Sequence, residues 1–296
     1  MNNTIFTGAG VAIITPMNAD GSINFEKLGE IIDFNIDNGT DAIIICGTTG
    51  ESATMTDDEH IACIRYAVEK TNHRVPVIAG TGSNHTEYAV NLSKKAQELG
   101  ADALLCVTPY YNKTSQAGLI AHFTAISEAV NIPIILYNVP SRTGVNILPE
   151  TLLELSKLDN IVAVKEASGN ISQVAKVAAL CGDNLDIYSG NDDQIIPVMS
   201  LGGKGVISVL SNCMPFETHE IAQLCLDNKY DEAREKAYRL LDFTNGLFMD
   251  VNPIPVKEAM NLMGFNVGEC RLPLVRMSDD KVSKLSDIMD KIGLIK

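Results

Sequence analysis

Short apolar runs rich in β-branched residues alternate with helical segments along most of this chain, and that alternation leaves few folds open. Apolar runs occupy 8–15, 41–46, 75–79, 103–107, 133–137, 161–165, 185–189 and 205–209. Each is about one buried strand long and lacks the polar alternation of a half-exposed sheet, as expected of parallel strands covered on both faces. Between them, apolar spacing predicts helices over 24–38, 85–99, 115–130, 149–158, 171–181 and 192–201, and another from about residue 215. Thr56 and Glu59 form a capping box that opens one more helix between the second and third strands. Gly39 and Gly100 are stop signals, and Pro149 stands at a helix start. Strict alternation implies parallel strands with right-handed crossovers. Eight such units in roughly 225 residues fit a closed (β/α)8 TIM barrel better than an open sheet. No Gly-x-Gly-x-x-Gly turn follows the first strand, so the open dinucleotide-binding sheet lacks its fingerprint. Later segments are helical only, at 231–248, 254–263 and 278–292. The expected organisation is a barrel over 1–228 and a C-terminal helical extension over 229–296.

Twenty-three basic residues against 37 acidic ones give a net charge of −14, which argues against nucleic acid or an anionic membrane as partner. No run approaches the ~18–20 apolar residues of a membrane span. Residues 1–7 lack the basic and apolar regions of a signal peptide. The seven cysteines are an odd number with no Cys-x-x-Cys pair, and they read as small buried hydrophobes in a reducing compartment. A cytoplasmic protein is expected. The five histidines have no metal-ligand spacing and none falls at a strand end, so no metal site is expected. His60 reads as a surface residue of its helix.

Barrel enzymes work at the C-terminal ends of their strands. Standing there are Thr48-Thr49, Gly80-Thr-Gly82, Thr108-Pro-Tyr-Tyr111, Tyr137 with Arg142 beyond it, Lys165, and Gly190-Asn-Asp192. Alternation places Ile161, Ala163 and Lys165 on one face of the sixth strand, and Pro133, Ile135 and Tyr137 on one face of the fifth. Adjacent strands lie ~4.8 Å apart, so the phenol can reach the amine if both faces point inward. A free lysine, pKa ~10.4, is almost wholly protonated at neutral pH, and a nucleophilic one must be desolvated. A barrel interior supplies that desolvation. The residues alone leave two readings open, a nucleophile beside a proton-relaying tyrosine or a lysine snorkelling from a strand end. Arg142 is likewise either a bidentate carboxylate clamp or an ordinary surface arginine. The Thr48-Thr49 loop either turns the chain or holds a small carboxylate.

Three widely spaced motifs decide among these alternatives by resemblance. Cys46-Gly-Thr-Thr-Gly-Glu-Ser52, Tyr137-Asn-Val-Pro-Ser-Arg-Thr-Gly144 and Ile161-Val-Ala-Val-Lys-Glu-Ala-Ser168 resemble the dihydrodipicolinate synthase family, as does Asn252-Pro-Ile-Pro-Val-Lys257. The resemblance implies a class I aldolase that condenses pyruvate with aspartate-4-semialdehyde on the route to lysine, with no cofactor beyond the covalent lysine. It implies that Lys165 forms the Schiff base and that Tyr137 relays protons with Thr48 and Tyr111. It further implies that Thr48 and Thr49 hold the pyruvate carboxylate, that Arg142 binds the semialdehyde carboxylate, and that Gly190 and Ile207 line the pocket through backbone groups. The second tyrosine reaches a neighbouring subunit in this family, implying a homo-oligomer, at least a dimer and commonly a tetramer built from dimers. An allosteric lysine site would fall at Ser52, Ala53, Asp57, His60, Gly82, Asn84, Tyr88 and Tyr110. Asp57 and Tyr88 depart from the pattern of lysine-inhibited members, which implies weak or absent inhibition. The sibling N-acetylneuraminate lyases and keto-deoxy-sugar-acid aldolases share the lysine and tyrosine. They generally lack an arginine at the position of Arg142.

Overall fold

Eight parallel strands close on themselves in sequence order in the computed structural model, which describes residues 4–295. Residues 1–3, part of the stretch read above for a leader, and residue 296 lie outside the described residues. The strands are β1 Gly8–Ala12, β2 Ala42–Ile45, β3 Val77–Gly80, β4 Ala103–Val107, β5 Ile134–Asn138, β6 Ile161–Glu166, β7 Asp186–Ser189 and β8 Gly205–Ser208. The helices are α1 Phe25–Asp37, α2 Asp57–Thr71, α3 Thr86–Glu98, α4 Gln116–Ser127, α5 Pro140–Thr143, α6 Pro149–Leu155, α7 Ile171–Cys181, α8 Ile195–Ser200, α9 Pro215–Leu226, α10 Tyr230–Gly246, α11 Ile254–Leu262 and α12 Asp279–Lys291. This is the TIM barrel that the alternation predicts, followed by the helical stretch α10 to α12.

The apolar runs are continuous because both sheet faces are covered. Along β2, Ile43 and Ile45 join the outer core under the helices, while Ala42 and Ile44 join the inner core. The ring closes where β8 meets β1. A Cβ on Gly205 would stand 2.0 Å from the Gly8 carbonyl oxygen, so only glycine fits that approach. The Thr56 capping box forms as expected, with Glu59 answering from the third helical position.

Three local features differ from the sequence reading. The β5–β6 register shifts, Ile134 pairing with Ile161 and Ile135 with Ala163, so Val162 is an extra residue. Ile161 therefore joins the outer core and Ala163 the inner one, contrary to the shared face expected from plain alternation. Beyond the bulge the register brings Tyr137 opposite Lys165. The helix expected over 192–201 is broken into a tight turn, Asp192–Gln194, and α8. One turn of helix, α5, follows β5, with Pro140 at its start and Gly144 at φ +71° ending it. His60 is also a correction. It is buried, its Nε2 lying 2.8 Å from the Gly80 carbonyl oxygen, because α2 turns that face onto β3. Six cysteines are buried and one is half-buried, all as free thiols. No helix among the described residues is long and apolar enough to cross a membrane.

Candidate active site

The C-terminal ends of the strands surround a cavity of about 170 Å³. Lys165 enters it from β6 and Tyr137 from β5, both nearly fully buried. Lys165 Nζ stands 4.4 Å from the centroid of the Tyr137 ring. Among the described residues Nζ has no hydrogen-bonding partner. Burial, helped by the Arg142 charge and opposed by Asp192, lowers the amine pKa from 10.5 to about 8. A group so placed keeps a substantial neutral fraction near neutral pH. Burial raises the Tyr137 phenol, while the Arg142 charge and a hydrogen bond with Thr48 oppose it. The phenol is thus tied to a second hydroxyl, an arrangement suited to passing protons.

Gly190, just past β7, lies against the lysine stem. A Cβ there would stand 2.6 Å from Ala167 Cβ and 3.2 Å from Lys165 Cε. Any side chain would crowd the amine, so the glycine keeps the cavity open. Thr48 and Thr49 line the cavity from the loop after β2. The extension reaches the same wall, where Asn252 Nδ2 donates to Thr49 Oγ1 at 3.0 Å. Its other amide atom, Oδ1, is buried without a partner. Arg142, on α5, is exposed at the mouth and donates to the Asn252 carbonyl at 3.4 Å. Its guanidinium is otherwise available to a ligand.

Two expected residues are not brought into this cavity. Ile207 lies in the inner core beneath it, and Val209 forms the wall at that strand end. The reason is pleat: Ile207 points inward one level below the mouth. Tyr111 is 91% exposed, with φ +68°, a strained conformation for a bulky residue. It stands out from its own chain's site.

A second cavity, of about 420 Å³, adjoins the first and shares Thr48, Val139 and Arg142 with it. Ser52, Ala53, His60, Gly82, Tyr88 and Tyr110 line it. Asp57 and Asn84 do not line it. Asp57 accepts the Tyr88 hydroxyl at 2.7 Å, and the Asn84 carbonyl accepts Asn112 Nδ2 at 2.9 Å. Burial and the Asp57 bond push the Tyr88 phenol up to about 12. Among the described residues no group of three or more His, Cys, Asp or Glu could hold a metal ion.

Asn252 and Asp192 carry no signal of their own in the sequence. Asn252 opens the motif 252–257, and that motif is the signal that points to it. Asp192 stands at a strand end among polar neighbours, and only its burial sets it apart.

A model of the dihydrodipicolinate synthetase family matches residues 5–292. The 4-hydroxy-tetrahydrodipicolinate synthase of Caldicellulosiruptor saccharolyticus is 63% identical over 290 residues, covering 98% of each chain. The crystal structure of dihydrodipicolinate synthase from Aquifex aeolicus is 46% identical, with TM-score 0.96, over 98% of this chain and 99% of that one. The chloride-inhibited dihydrodipicolinate synthase of Acinetobacter baumannii, complexed with pyruvate, is 39% identical, with TM-score 0.97, over 99% of this chain and all of that one, 100%. An unpaired buried amine beside a tyrosine at the mouth of an eight-stranded barrel therefore sits in a chain that belongs to the dihydrodipicolinate synthetase family.

Proposed function

We propose that this chain condenses pyruvate with L-aspartate-4-semialdehyde to 4-hydroxy-tetrahydrodipicolinate, in the branch of metabolism leading to diaminopimelate and lysine. One observation carries the reading: the buried amine of Lys165 has no partner and lies over the Tyr137 ring. A lysine whose pKa is lowered by desolvation has a neutral fraction that attacks ketones. Its nitrogen bonds to the pyruvate keto carbon, giving a carbinolamine. The carbinolamine then loses its hydroxyl as water and leaves an iminium, with net uptake of one proton. Tyr137, tied to Thr48, delivers and recovers protons. Loss of a methyl proton gives the enamine, whose carbon attacks the semialdehyde aldehyde. The Thr48-Thr49 loop holds the pyruvate carboxylate, and Arg142 pairs with the semialdehyde carboxylate. Gly190 keeps space for both, with Ile207 supporting the wall from below. No cofactor takes part, since the lysine itself is the covalent group.

Tyr111 acts in this reading from the outside. Its exposed ring enters the site of a neighbouring copy and extends the relay there, so the working form is a homo-oligomer of dimers. The cytoplasm is the expected site of action, and small molecules rather than nucleic acid or membrane are the partners. The second cavity is the effector site of the family. Here the Tyr88 hydroxyl is bound to Asp57 Oδ1, and among the described residues no acidic one lines the cavity to meet a ligand ammonium. Lysine inhibition is therefore weak or absent, and a strong rate loss at millimolar lysine would refute that.

Borohydride added with pyruvate should fix one pyruvate-derived adduct on Lys165, read by mass spectrometry. An unmodified lysine would refute the Schiff-base mechanism. A coupled assay should show turnover of aspartate semialdehyde and none of sialic acid.

A further inference from the structure

Lys165 is met by four polar or charged groups from the elements packed around it. Tyr137 on β5 presents its ring. Arg142 on α5 carries a like charge. Tyr188, opposite on β7, turns its hydroxyl away to the Phe6 carbonyl at 2.7 Å. The fourth is the anionic Asp192, in the turn after β7; it follows Gly190 and Asn191, which line the cavity, and its Oδ2 holds Val209, which lines it too. Glu166, next to Lys165 in sequence, is committed elsewhere, accepting from the Ser168 N–H and from the amides of Asn138 and Gln173.

Asp192 is 9% exposed and rigidly held. Its Oδ2 accepts the N–H groups of Val209 and Leu210, each at 3.0 Å, and the Ser208 hydroxyl contacts the same group. Its Oδ1 is buried without a hydrogen-bond partner. The residue also borders a mainly apolar cavity under α10, where Arg234 is occupied by Asp231. A buried carboxylate with a free oxygen is costly unless it serves a charge. The reaction at Lys165 creates such a charge, an iminium in a cavity where the Arg142 charge opposes it.

We propose that Asp192 is a positioning residue for this reaction, the fixed countercharge to the cationic forms of Lys165, the ammonium before pyruvate binds and the iminium after. It touches no substrate and acts through the lysine. The proposal rests on the Schiff-base reading above. Burial raises the Asp192 carboxyl, while the Ser208 and backbone donors and the Lys165 charge hold it down, so the pair is mutually supporting.

The test is the pH dependence of borohydride trapping, with wild type and Asp192→Asn compared. Asparagine keeps an acceptor for the two N–H groups and removes the charge. The trapping midpoint should fall by about one pH unit, because the ammonium loses its partner. The KM for pyruvate should rise roughly tenfold, because the iminium does too. A role confined to holding the loop would lower the melting temperature and leave the midpoint in place. An unmoved midpoint in a folded neutral variant, Asp192→Asn or Asp192→Ser, overturns the proposal. A variant-free measurement stands beside these. In wild type, ¹³C-labelled pyruvate should perturb a buried protein carboxylate band in the infrared difference spectrum, and no such band overturns it as well. Absence of any trapped pyruvate in wild type would instead refute the Schiff-base reading.

Discussion

Two lysines are buried among the described residues, and they are opposites. Lys165 is 6% exposed and Lys257 is 2% exposed. Lys257, on α11, spends all three of its N–H donors. It pairs with Glu51 at 2.9 Å and donates to the carbonyls of Glu269 at 2.7 Å and Thr15 at 3.2 Å. Glu51 completes the junction by accepting the Arg271 N–H at 2.9 Å. The second carboxylate joint is the fork between Arg271 and Glu59 on α2. Lys165 has the same burial and none of these partners. One amine is a structural cation that ties the extension to the loop after β2, the loop that carries Thr48 and Thr49. The other is left with a neutral form within reach. Burial alone therefore does not leave a lysine free for chemistry; the reactivity proposed for Lys165 depends on burial without satisfied donors.

Breaking each lysine should produce opposite losses. Lys165→Ala is expected to remove activity by on the order of 10³-fold or more, with a melting temperature at or above that of wild type. An unchanged turnover would remove Lys165 from its role. Lys257→Met is expected to destabilise the fold by about 3–5 kcal/mol, because Glu51 is left buried and unpaired. Denaturant titration would read it. A double variant that also replaces Glu51 with an apolar residue should recover part of the loss, which would show that the stranded charge was the cost.

Smaller effects sharpen the contrast. Asn252→Ala should cost about 1 kcal/mol and raise the KM for pyruvate, since Thr49 loses the partner that fixes its hydroxyl. The pH dependence of stability carries the signature of Lys165 as well. Its folded pKa, about 8, lies below its ordinary 10.5, so the unfolded chain binds the proton more tightly in between. This group's penalty is present in full below about 8 and is relieved as pH rises toward 10.5. Lys165→Met should flatten that rise in a stability–pH titration. At the acid end, the Arg271 fork lowers the Glu59 carboxyl from 4.5 to about 2. That contribution is present above about 4.5 and is lost as pH falls toward 2. Arg271→Met should shift the acid-unfolding midpoint upward by a small amount.

The barrel was legible because both faces of each strand are buried, which makes the apolar runs unmistakable. The bulge at Val162 was not, since one extra residue leaves no mark on hydropathy, although it changes which side chains share a face with Lys165. The turn at 192–194 was hidden for a related reason. Asp192 looks like an ordinary polar helix start until its carboxylate is seen to hold Val209 and Leu210 across the next strand. His60 was misread because the surface of an isolated helix and the face of α2 that covers β3 carry similar residues.

The sequence by itself determined the eightfold alternation, the place of Lys165, Tyr137 and the threonine pair at strand ends, and the motifs that mark the family. These are properties of local spacing, and local spacing is written in the chain. Tertiary structure alone decided that Lys165 goes without hydrogen bonds while Lys257 is saturated, that Asn252 reaches Thr49, and that Tyr111 faces outward. Each depends on residues far apart in the chain meeting at one point, and a lysine's reactivity is set by those meetings, through the water and the partners they deny or supply.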